Sequence, residues 1–144
     1  MHYSKTGHNT FIIRLVMGEK VMDSIKRFCK AKRIFNAYFI GLGSVEGPIM
    51  AHYRVDEKKY KERRMKGIFE LTGMIGDVAL FEKEPLVHAH INISDEHMRA
   101  FGGHLVEAKT SATVEIILTA MKSRKTKKYS EEIGLKLFQL SEEL

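Results

Sequence analysis

Apolar and polar residues alternate along much of this chain, and the alternation repeatedly stops at glycine or at a charged run. A period of two marks a strand with one buried face, and a period near 3.6 marks a helix. Residues 11–17, Phe-Ile-Ile-Arg-Leu-Val-Met, predict a first strand that ends at Gly18 and Glu19. The period then changes: Val21, Ile25, Phe28 and Cys29 fall on one helical stripe while Asp23, Lys26, Arg27 and Lys30 face away. That predicts an amphipathic helix over residues 21–32. Residues 35–40 predict a strand running into Gly41-Leu-Gly43-Ser-Val-Glu-Gly47, where the glycines shape a bend or bulge. After Pro48, Ile49, Ala51, Tyr53 and Val55 alternate as a further strand, and the charged residues 56–66 then predict a polar connection or exposed hairpin.

The second half repeats the pattern. Residues 68–74 alternate, with Phe69 and Leu71 on one face and Ile68, Glu70 and Thr72 on the other. Gly76-Asp77 reads as a turn and residues 78–81 as a short strand. In residues 86–93 Val87, Ala89, Ile91 and Ile93 form an apolar face, opposite His88, His90 and Asn92. Ser94-Asp95-Glu96 resembles a helix start, but Gly102-Gly103 leaves room for barely two turns. Residues 113–119 predict a strand with Val114, Ile116 and Leu118 inward, and residues 134–140 a last short one. One helix among many short strands predicts an α+β fold, a largely antiparallel sheet with little helix cover. Such a sheet needs a further surface against it, which oligomerisation supplies.

The chemistry gathers at the two central histidines. A His-x-His pair on one strand face sets two imidazoles about 7 Å apart at their Cβ atoms, suited to converging on one cation. His104 follows two glycines, which permit close approaches that a Cβ would forbid. Imidazole is the usual neutral ligand for zinc and other first-row divalent metals, and three histidines with an open fourth position resemble a catalytic zinc site more than a closed structural one. The alternative is a polar face whose histidines each keep their own hydrogen bond. Glu70 and Glu115 are candidates to orient a ligand histidine or to handle protons, with an exposed or interface carboxylate as the competing reading. His97 is a candidate fourth ligand, and His2 and His8 read as solvated tail residues. Cys29, on the helix stripe, reads as a small buried hydrophobe. The Gly41–Gly47 glycines do not make a dinucleotide fingerprint, because Glu46 stands where its third glycine belongs and no helix follows.

Composition narrows this further. The 144 residues, 44% hydrophobic and 29% charged, suit one domain over residues 11–144 behind a loose N-terminal arm at 1–10. A single cysteine excludes an internal disulfide, and the sequence shows neither a signal-peptide pattern nor a run long enough to span a bilayer. Cytoplasm is the expected location. The formal net charge of +6 permits contact with nucleic acid. Its densest source is residues 122–128, where Lys122, Arg124, Lys125, Lys127 and Lys128 are candidate phosphate contacts; a solvated loop is the plainer alternative. No aromatic residue is interleaved there to stack on bases.

His88-Ala-His90, Gly102-Gly103-His104-Leu105 and the strand beginning Thr113-Val-Glu115 together resemble the PPC domain, the plant and prokaryote domain also found in plant AT-hook nuclear proteins. Gly41-Leu-Gly43-Ser-Val and Phe69-Glu70-Leu71 fit the same pattern, so the resemblance runs from about residue 11 to about residue 119. It implies a homotrimer with sites near subunit boundaries, and it places the metal on His88, His90 and His104. DNA binding carries over less well, since no Arg-Gly-Arg-Pro hook is present, and Ile68 stands where the plant proteins have an arginine implicated in partner contacts. Two functions follow as expectations. One is a trimeric, metal-binding protein, regulatory or associated with DNA. The other is a metal-dependent enzyme, hydrolase-like or lyase-like, acting on a small anionic molecule. A purely structural metal that locks the trimer is a third.

Overall fold

A computed structural model of the chain describes residues 1–142. Its elements run β1 (His2–Thr6), β2 (Thr10–Val16), α1 (Val21–Lys32), β3 (Ala37–Arg54), β4 (Lys59–Arg64), β5 (Ile68–Phe81), β6 (Glu84–Ser94), β7 (Ala100–Ala120), β8 (Lys127–Ser130) and β9 (Leu135–Phe138). The first seven strands form one sheet in the order β1-β2-β7-β6-β5-β3-β4, and neighbouring strands run antiparallel throughout it. Because β7 also pairs with β3, strands β3, β5, β6 and β7 close into a ring. Strands β8 and β9 form a separate hairpin.

The predicted helix forms over residues 21–32 and buries Val21, Ser24, Ile25, Phe28 and Cys29. It ends where Arg33 turns left-handed and its N–H reaches the carbonyls of Cys29 and Lys30. The helix packs against β6 and β7. Inward residues of the long strands complete the core, among them Ile13, Leu15, Phe39, Ile91, Ile93, Val114, Ile116 and Leu118. Cys29 lies within it, and burial pushes its thiol up to about 12, which leaves it unreactive.

Several expectations change. The N-terminal arm is not loose: residues 2–6 pair along the edge of β2. The two strands expected on either side of Gly41–Gly47 are one continuous β3, and the glycines do mark a bulge there, with the register shifting between Gly41 and Gly43. Gly43 has φ +146, and a Cβ on it would collide with the Thr113 carbonyl oxygen of β7. Only glycine allows that approach. Pro48 is tolerated because the register slips again between Glu46 and Ile49, where its missing N–H costs no ladder bond. Gly76-Asp77 is not a turn but lies inside β5, and residues 95–99 make a turn rather than a helix.

The Gly-Asp pair that reads as a turn lies in a strand that also changes face. Between Leu71 and Gly73 an extra residue interrupts the pairing with β6, a bulge at Thr72. The outward positions are therefore Ile68, Glu70 and Thr72 before it and Ile75 and Asp77 after it. A strand that changes face in this way looks broken when it is read by period alone.

Candidate metal centre

The apolar face of β6 enters the core, so the pleat turns His88 and His90 to the other side. His104 on β7 is the cross-strand partner of His90. The two glycines before it let β7 come close: a Cβ on Gly102 would lie 2.6 Å from Asn92 Oδ1 on β6. The three imidazoles sit with ring centroids 5.1 to 5.6 Å apart, and each offers a nitrogen within 4.8 Å of the others. Sequence reasoning placed these three residues together, and the fold brings them together.

Two neighbours prepare the cluster. Asp77 is the β5 partner of His88, and its Oδ2 accepts from His88 Nδ1 at 3.1 Å. Burial raises the Asp77 carboxyl, but hydrogen bonds from His88 and Lys127 outweigh it and hold the group below its usual range. Asp77 is therefore an acceptor, His88 carries its proton on Nδ1, and its Nε2 lone pair is free for a cation. Tyr60, on β4, stacks on the His104 ring at 4.7 Å.

The electrostatics favour uncharged rings at His90 and His104. Burial first, and then the charges His88 and His90 would carry, lower His104 to about 4. Burial and His88 lower His90 as well. His104 Nδ1 is buried without a hydrogen-bond partner among the described residues. A lone pair left in that state is costly, and a bound cation would satisfy it. The donor set therefore fits a divalent transition metal: three imidazoles, one of them oriented by a carboxylate and one with an unanswered buried nitrogen.

The remaining candidates lie elsewhere. Glu70 is exposed on β5 opposite Ser94, seven residues or roughly 23 Å of strand from Asp77. It lines a different cleft, with the 94–99 turn and His97, so within one chain His97 does not join the cluster. Glu115 is exposed between Arg14 and Leu42, eleven residues along β7 from His104. Within one chain, neither carboxylate reaches the cluster. Lys127 also departs from its expected role as a phosphate contact. It is 7% exposed, and its Nζ donates to Asp77 Oδ1 at 2.6 Å and lies 4.4 Å from the Phe138 ring centroid. Lys122, Arg124, Lys125 and Lys128 remain exposed.

Asp77, Tyr60 and Lys127 are the site residues that the sequence did not disclose. No local pattern marks Tyr60 or Lys127, since each arrives through a long-range contact. Asp77 was hidden by the bulge at Thr72.

The sequence profile of the Plants and Prokaryotes Conserved (PCC) domain matches residues 2–122. Among solved structures the chain is similar to a plant- and prokaryote-conserved (PPC) protein of Pyrococcus horikoshii. The two are 33% identical with a TM-score of 0.87, over 96% of this chain and 99% of that one. A metal-containing protein of Archaeoglobus fulgidus shares the fold at 22% identity and a TM-score of 0.85, over 97% of this chain and 99% of that one. So does a Bacteroides thetaiotaomicron protein named "putative DNA binding protein", at 21% identity and a TM-score of 0.92, with 96% of each chain covered. No curated protein matches the sequence.

Proposed function

The chain belongs to the Plants and Prokaryotes Conserved domain family, and from that premise we propose that it is a homotrimeric metal-binding protein with His88, His90 and His104 as the protein ligands of each subunit. Zinc, or a neighbouring first-row divalent metal, suits three imidazoles. The observation that carries the reading is the combination at one point of three converging ring nitrogens, the Asp77 bond to His88 and the unpartnered buried Nδ1 of His104. The similar Archaeoglobus protein, described as metal-containing, supports it.

The site is open rather than closed. The three histidines line a cavity of about 850 Å³, in the range that ordinary small-molecule sites occupy. An ion held there would supply positive charge and Lewis acidity to a molecule entering that cavity. The chain's own residues do the positioning: Asp77 sets the tautomer of His88, Lys127 holds Asp77 from its far side, and Tyr60 covers one face of His104. With Glu70 and Glu115 outside the cavity, the geometry supports a binding or sensing centre better than a hydrolase or lyase.

Trimer formation is supported by an apolar row on the outward face. Ile12, Ile117, Ile40 and Ile75 are cross-strand neighbours in register, 46%, 48%, 50% and 67% exposed, and the row ends at His90. Four neighbouring β-branched side chains form a patch that another copy would cover, with the metal centre at its border. Association with DNA is the second reading. It is favoured by four exposed cations between Lys122 and Lys128 and by the name of the Bacteroides protein, and it does not involve Lys127.

Elemental analysis of untagged protein purified without chelators tests the main reading. We expect close to one zinc or equivalent ion per chain, and a loss of most of it in His90→Ala. Wild-type protein that takes up no divalent metal would overturn it.

A further inference from the structure

We propose that the cavity beside the histidine cluster is a binding site for small monocarboxylates with an aromatic or branched apolar body, the carboxylate lying toward the metal and the body against the C-terminal hairpin. The inference rests on the metal centre proposed above and adds the chemistry of what that centre holds.

The cavity has two kinds of lining. His88, His90, His104 and Asp77 are polar. Leu86, Tyr129, Leu137 and Phe138 are apolar, and Tyr60, stacked on His104, joins the two. Of these, Tyr60, Tyr129, Leu137 and Phe138 are exposed, large apolar surface on a concave wall within reach of water. That arrangement, an apolar concavity with a few convergent polar groups, is the common form of a small-molecule site. The wall is also built rather than loose. Tyr53 Oη donates to the Ile133 carbonyl, Lys58 Nζ donates to the Glu131 carbonyl at 2.7 Å, and Lys127 ties the start of the hairpin to Asp77 at 2.6 Å. Gly134, at the hairpin turn, has φ +78, and a Cβ there would lie 2.5 Å from the Tyr53 hydroxyl.

Charge selects the head group. Three neutral imidazoles leave a divalent ion's charge uncancelled, and the Asp77 carboxylate is already matched by Lys127. The polar lining therefore favours an anion. The donors select between anions. Both lysines that line the cavity are engaged, Lys127 with Asp77 and Lys136 over the Phe81 ring at 4.2 Å. His52 and three tyrosines also line it, but among the described residues no arginine and no residue of α1 does. A phosphate would thus find neither a guanidinium nor a helix N-terminus for its several oxygens, whereas a carboxylate carries one charge that the metal can answer. The apolar wall then accounts for the rest of the molecule.

Isothermal titration of zinc-loaded protein with phenylacetate, acetate and inorganic phosphate tests this, with zinc content measured on the same sample. We expect phenylacetate to bind at least about tenfold more tightly than acetate, and phosphate to bind no better than acetate. In Tyr129→Ser/Leu137→Asn, two exposed positions whose change should leave the core intact, the preference should shrink to about threefold or less with acetate affinity and zinc content unchanged. Equal affinity for phenylacetate and acetate, tighter binding of phosphate, or an undiminished preference in the double variant would each overturn the inference while leaving the metal centre standing. Protein that holds no zinc would fail the metal centre, and this inference with it.

Discussion

Asp77 decides what the histidine cluster can do. It reaches His88 from one carboxylate oxygen and Lys127 from the other, so it fixes a tautomer and is itself fixed. Asp77→Asn keeps the size but loses the charge, and its amide can present either a donor or an acceptor to His88. Zinc affinity should fall by about 10–100-fold while the fold survives, read by competition with a chromophoric chelator. Unchanged affinity would mean that the carboxylate is incidental. The pH dependence of the metal-free protein tests the same residues through linkage. His104 is lowered in the fold to about 4, from 6.5, so between those values the unfolded chain takes up a proton that the folded chain refuses. Its contribution to stability is complete above pH 6.5 and is lost as pH falls toward 4, and His90 acts in the same direction. Asp77, also lowered, loses its contribution only below its ordinary value of 3.8, outside that window. Denaturant midpoints at fixed protein concentration should therefore drop between pH 7.5 and pH 5, and should drop less in His104→Gln. A flat profile would contradict the desolvation of His104.

At the scale of elements, the C-terminal segment divides between two tasks. Its residues 122–126 run as an extended link whose backbone is anchored by Asn36, which bonds both the N–H and the carbonyl of Lys125. The link presents Lys122, Arg124 and Lys125 to solvent, with Lys128 exposed just beyond it, while Lys127 turns inward to Asp77. If the protein meets DNA, the outward cations carry it. Neutralising Lys122, Arg124, Lys125 and Lys128 should weaken binding and flatten its salt dependence, by a slope of roughly 0.9 for each phosphate no longer neutralised. Fluorescence anisotropy with duplex DNA at several salt concentrations would show it, and binding that is absent or indifferent to salt would end the DNA reading. Lys127→Met should instead affect the metal centre. The basic run was legible in the sequence, but its division was not, because which lysine turns inward depends on a carboxylate fifty residues away in sequence.

The whole molecule presents an outward row of isoleucines that ends at the histidines, and the proposed trimer follows from that surface. Ile40→Glu places a charge in the middle of the row without touching the core, since the side chain is half exposed in the single chain. Light scattering behind size exclusion should show wild type at three times the chain mass and the variant shifted to one. A wild-type protein that runs as a monomer would remove the trimer, and the metal centre would then have to stand within one chain.

Much of this was written locally. The helix over residues 21–32, the apolar face of β6 and the pairing of His88 with His90 on one side all follow from periods of 3.6 and two, which any short window carries. Backbone sterics alone place those side chains. The Gly102-Gly103 step before His104 was legible for a similar reason, since a missing Cβ signals a close approach whatever it approaches. What waited for the tertiary structure was everything set by register between distant strands. The bulge at Thr72 turns Asp77 outward, closure of β7 on β3 and β6 puts His104 opposite His90, and the same pairing carries Glu70 and Glu115 away from the site. A one-residue slip reverses the face of every residue after it, and no local period records where that slip occurs.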